Sequence, residues 1–154
     1  MNSVYQMGDL RIVDLTKELD PATETRRCHM YRFNTGGPIP DFHTIMDLTS
    51  HLGTHCECPY HHDDTWPSVA ELPLTTFLGR AIYLDFKDTV APYTHITPAD
   101  LDRITEGKIK EGDIVIIDSA YKMTPFTPDT NTEKDHRLLI NGEVAEWFRD
   151  HKVK

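Results

Sequence analysis

This chain has little cysteine, no long apolar run and no cluster of basic residues, and each shortage removes a class of function. Cys28, Cys56 and Cys58 are its three cysteines. An odd number, with two of them one residue apart, argues against a disulfide framework and for a reducing compartment, the cytoplasm. No stretch of about eighteen apolar residues is present, so no membrane-spanning helix is expected. The opening "MNSVYQMGDLRIVDLTKELD" has neither the basic nor the apolar region of a secretory leader. Net charge is −9 with no Lys/Arg block, which disfavours nucleic acid and anionic membrane as partners. Repeats and low-complexity tracts are also missing. What remains is one domain, 1–154, long enough to build a core, with a small molecule as the expected substrate.

The elements read as a mixed α/β domain, rich in strands and with few helices. "RIVDLTKEL" at 11–19 predicts a first strand, and "NTGGPIPD" at 34–41 a turn cluster. The stretch 43–58 predicts a strand pair or one long, bulged strand. "GRAIYLDF" at 79–86 and "GDIVIIDSAY" at 112–121 are the clearest strands, and 88–95 lacks any period. Thr97 as N-cap, Pro98 in the first turn and Asp100 favouring the helix dipole predict a helix over 97–104. Val144, Trp147, Phe148 and His151 fall on one helical face of a second helix over 141–152.

The richest chemistry lies in "SHLGTHCECPYHH" at 50–62, which holds four of the nine histidines. In an extended chain, residues two apart share a face. His51, Gly53, His55 and Glu57 then project to one side, with Gly53 leaving space between the imidazoles. Cys56 and Cys58 face the other way, toward a core. Pro59 stops the strand and lets His61 return over the same face. Two imidazoles and a carboxylate form an N/O donor set suited to Zn²⁺ or Mn²⁺. Such an ion lowers the pKa of its water to about 7 and polarises a carbonyl, and His61 is placed to shuttle the proton. The plainer reading is a solvated histidine-rich loop, which has no need of this parity. C-x-C without a second pair does not suit a structural zinc ribbon, and H-E-x-x-H is missing. His29, His43, His95 and His151 read as ordinary surface or core histidines.

"HLGTHCECPYH" resembles the H-x-G-T-H-x-D-x-P-x-H motif of the metal-dependent cyclase family, which includes the bacterial-type kynurenine formamidases (arylformamidases) and the isatin hydrolases. "IVDLTKELDP", "ELPLTTFLGRAIYLDF" and "ITPADLDRITEGKIKEGDIVIIDSAY" resemble further family segments, so the likeness spans nearly the whole chain. It implies a swivelling β/β/α-type fold and metal-assisted hydrolysis of an amide, a formamide or a lactam-like ring. It also implies that His51, His55 and Glu57 bind the metal, that His61 donates and accepts protons, and that the chain forms a homodimer or larger homo-oligomer.

Glu57 stands where the family usually has Asp, so the carboxylate reaches one methylene further. The family's domain continues past the position of Lys154 to a further His and Glu, which makes this chain resemble one whose C-terminal part is missing. His136, Glu143 and Glu146 are the candidate substitutes. Where relatives have a proline- and aromatic-rich substrate loop, this chain has "DPATETRRCHMYRF". Arg26, Arg27 and Arg32 are there candidates to clamp a substrate carboxylate or else plain solvated charges, and Met30, Tyr31 and Phe33 are candidates for an apolar wall. Two other readings stay open: a catalytically silent metal-binding module or one half of a heteromeric enzyme, and, more distantly, a cupin-like enzyme using dioxygen.

Overall fold

The computed structural model describes residues 3–88, 95–119 and 138–154. Along the chain these residues divide into two units, one ending at Cys58 and the other beginning at Pro59.

The first unit is built from two antiparallel hairpins. Strands β1 (Val4–Met7) and β2 (Leu10–Val13) pair from Val4↔Val13 to Met7↔Leu10. The strand expected over 11–19 therefore ends at Val13. The Asp14 carboxylate accepts from the Thr16 amide at 2.9 Å, and this local turn takes the backbone out of the ladder. Strands β3 (Cys28–Asn34) and β4 (Phe42–Leu48) pair from Cys28↔Leu48 to Asn34↔Phe42. Their connection is the Gly/Pro-rich turn cluster, as its composition predicts.

Strand β3 occupies the stretch read from sequence as a substrate loop. Its seven backbone partners come from β4, and that non-local pairing is what makes it a strand. Cys28 and Leu52 are the buried apolar side chains among the unit's described residues.

In the second unit, β5 (Ala81–Asp85) and β7 (Ile114–Asp118) run parallel, from Ala81↔Ile114 to Asp85↔Asp118. Between them in sequence come β6 (His95–Ile96), which pairs in parallel with β8 (Leu139–Ile140), and helix α1 (Pro98–Thr105). Helix α1 begins as its sequence predicts. The Thr97 hydroxyl accepts from the Asp100 amide at 3.2 Å, and the Asp100 carboxylate accepts from the Thr97 amide at 3.1 Å, closing a reciprocal cap. Helix α2 (Gly142–Asp150) starts with the Asn141 side chain accepting from the Val144 amide.

Leu84, Phe86, Ile96, Leu101, Val144 and Trp147 form the buried core, so both helices and both parallel pairs share it. The Trp147 indole also donates to Asp102 on α1 at 2.8 Å, giving its polar edge a partner as the ring is buried. Three single turns of 3₁₀ helix, at Pro59–His61, Val69–Glu71 and Leu74–Phe77, lead into β5.

The described residues thus form a strand-rich α/β chain with small sheets and two helices. No helix among them is long and apolar enough to cross a membrane.

Candidate metal centre

The β3–β4 ladder fixes the start of the histidine-rich stretch. One step past the last strand pair, the Thr49 amide donates to the Arg27 carbonyl at 3.0 Å. From there the backbone leaves the sheet, and residues 49–58 form bends and irregular chain, so the strand pair or long, bulged strand expected over 43–58 stops at Leu48.

Gly53 is the local reason. Its φ of 58° lies in the left-handed region, which breaks the two-residue alternation and which side-chain-bearing residues avoid. The space beside Gly53 belongs to Leu19, whose Cδ2 lies 2.9 Å from the place a Cβ would take. The glycine thus serves close packing and a left-handed turn, not the room for an ion that alternation suggested. With alternation lost, Cys56 is exposed and Cys58 half-buried, and neither lies in a core; both are free thiols.

Two further contacts anchor the stretch. The Thr54 hydroxyl accepts from the Lys17 amide at 2.8 Å, and Arg26 Nη1 donates to the His51 carbonyl at 2.6 Å. Arg26 thereby binds this chain's own backbone. Arg27 pairs with Asp47 at 2.6 Å, and the Arg32 guanidinium lies 4.5 Å from the centre of the Phe42 ring. Each of the three arginines considered as a substrate clamp thus has a partner within its own unit.

At the motif itself, His51 Nδ1 lies 2.7 Å from Glu57 Oε1. The rings of His51 and His55 meet edge to face with centroids 5.6 Å apart. His55 Nδ1 sits 2.9 Å from the Gly53 carbonyl oxygen. A ring nitrogen facing a carbonyl must carry the hydrogen, so in the neutral imidazole Nε2 of His55 holds the lone pair. His61 ends the 3₁₀ turn that starts at Pro59, and its ring meets that of His62 at 4.9 Å.

Within the first unit, His51 and Glu57 thus bring an imidazole nitrogen and a carboxylate oxygen together, two of the donors that a metal ion needs. With a second imidazole, such a pair fits a borderline divalent cation. His55 lies beside this pair, in ring contact with His51. Glu143 and Glu146 are exposed on α2, and His136 lies outside the described residues. The anchors Arg26 and Lys17 carry no signal in a single sequence, because each contact depends on how the hairpin places distant backbone.

No solved structure matches the chain. The family model described as "Putative cyclase" matches residues 13–154, nearly the full length. By that match the chain belongs to the cyclase family of enzymes.

Proposed function

We propose that the chain is a metal-dependent hydrolase of the kynurenine formamidase type, cleaving the amide bond of a small formamide or cyclic amide. The observation that carries this reading is the 2.7 Å meeting of His51 and Glu57 at the motif positions, within the region matched to the cyclase family. His51, Glu57 and a further histidine would hold Zn²⁺ or Mn²⁺. When bound, such an ion supplies Lewis acidity toward a carbonyl oxygen and a water of lowered pKa.

The protein's own groups do the rest. His51 and Glu57 orient one another, and His55 is held by the Gly53 carbonyl with Nε2 open to a ligand. His61 takes the proton released by the attacking water and returns it to the departing nitrogen as the C–N bond breaks. The exposed apolar residues Val4, Tyr5, Tyr31, Ile45 and Met46 on the hairpins support a homodimer or larger assembly. The free thiols support a reducing, cytoplasmic setting.

The test is elemental analysis of the purified chain beside a Glu57→Gln/His51→Ala variant, followed by assays on formamides and cyclic amides. Stoichiometric Zn or Mn lost in the variant, with turnover abolished by His61→Ala, is the expected result. A folded chain that retains neither ion from solution would overturn the reading.

A further inference from the structure

We propose that Arg26 is a positioning residue for this centre: by holding the His51 carbonyl it fixes the bend from which the His51 imidazole reaches Glu57. The inference rests on the reading of the stretch as a metal site, but its geometry stands independently. Arg26 lies two residues before β3, where the ladder still constrains the chain through the Thr49 amide and the Arg27 carbonyl. Its guanidinium leaves a well-fixed backbone, and Nη1 meets the His51 oxygen at 2.6 Å in a partly buried position. A charged donor gives a stronger hydrogen bond than a neutral one, and the planar guanidinium loses little freedom in making it.

The bend at 51–54 has no ladder of its own. It is held from three directions by distant parts of the chain. Arg26 grips the carbonyl of His51, the Leu19 side chain packs against Gly53, and the Lys17 amide holds Thr54. Of these, Arg26 alone acts on the residue that carries a candidate ligand. Groups that orient a metal ligand from outside typically change metal affinity about 10–100-fold when removed.

The test compares the full chain with Arg26→Ala, Arg26→Lys and Asp47→Asn. The last breaks the Arg27 ion pair of the same hairpin and reports any general loosening. Two quantities are read: Zn²⁺ and Mn²⁺ affinity by competition with a chromogenic chelator, and amide hydrogen exchange of the 49–58 peptide in metal-free protein. Arg26→Ala should weaken metal binding about 10–100-fold and speed exchange in that peptide. Arg26→Lys should recover part of both, and Asp47→Asn should leave both near wild type.

Unchanged exchange and affinity in Arg26→Ala would overturn the proposal, as would an equal effect of Asp47→Asn. If the wild-type chain binds neither ion, the hydrolase reading falls, and the exchange comparison still decides the role of Arg26.

Discussion

The Thr54 hydroxyl accepts a hydrogen bond from the backbone amide of Lys17 at 2.8 Å, tying the middle of the histidine motif to the chain that follows β2. The bond spans the β3–β4 hairpin, so it orders two segments that have no shared ladder. Thr54→Val keeps the shape and removes the acceptor. Both groups are exposed, so water replaces part of what is lost, and the expected cost is about 0.5–1 kcal/mol. Urea denaturation measures it. A midpoint unchanged within error would mean that the contact adds nothing to stability.

Gly53 and Gly107 both adopt left-handed backbone, with φ of 58° and 69°, but their surroundings differ. Nothing lies within 4 Å of a Cβ at Gly107, whereas at Gly53 the Leu19 side chain stands at 2.9 Å. Gly107→Ala should therefore cost only the conformational penalty, about 1 kcal/mol. Gly53→Ala should cost more, about 2 kcal/mol, because Leu19 must also move. Pairing Gly53→Ala with Leu19→Ala should bring the glycine's own cost down toward that at Gly107. Equal costs for the two single variants would show that Leu19 yields freely.

These contacts also explain how much of the molecule its sequence discloses. Helix α1 was legible because its signals are local: Thr97, Pro98 and Asp100 act within one turn of each other. Strands β5 and β7 and helix α2 were legible for the same reason, each carrying a strong apolar pattern. Strand β3 was not, since "CHMYRFN" becomes a strand only by pairing with β4. The motif residues could be named, and the family with them. Their arrangement could not, because the left-handed turn at Gly53 and the approach of Leu19 are set by tertiary contact. Alternation put His51, His55 and Glu57 on one face; the folded chain brings His51 against Glu57 and beside His55 through a bend rather than a strand.

In the second unit, acid stability should depend on Asp113. Its buried side chain accepts from Arg80 Nε at 2.8 Å and from the Lys110 amide at 2.7 Å. Burial pushes its carboxyl up, yet the Lys110 amide and the Arg80 guanidinium outweigh burial and leave it below the ordinary value of 3.8. A carboxyl whose folded pKa is depressed binds its proton more readily in the unfolded chain. Its contribution is therefore complete above the unfolded value and fades as pH falls through the folded one. Denaturation midpoints should hold steady down to about pH 4 and drop below it. Asp113→Asn should lower stability at pH 7 and make that acid drop shallower. An acid limb of unchanged steepness would assign the drop to other carboxylates, such as Asp100, which Arg103 and Thr97 hold low.

Single substitutions at His55 and His61 separate two ligand sets for the proposed site. The resemblance to the family motif implies His55 as a metal ligand and His61 as the proton carrier. Within the first unit, His51 meets Glu57 and lies edge to face with His55, whose Nδ1 faces the Gly53 carbonyl. Losing one of three or four ligands weakens a divalent site by far more than losing a group that acts only on protons. If His55 ligates, His55→Ala should abolish stoichiometric Zn or Mn, while His61→Ala keeps the ion and loses turnover. If His61 ligates in place of His55, His61→Ala loses the ion and His55→Ala retains it. Metal content and affinity of the two variants, measured side by side at neutral pH, decide between them. Loss of the ion in both would mean that all four side chains ligate, with Glu57 joining three imidazoles in one N/O site.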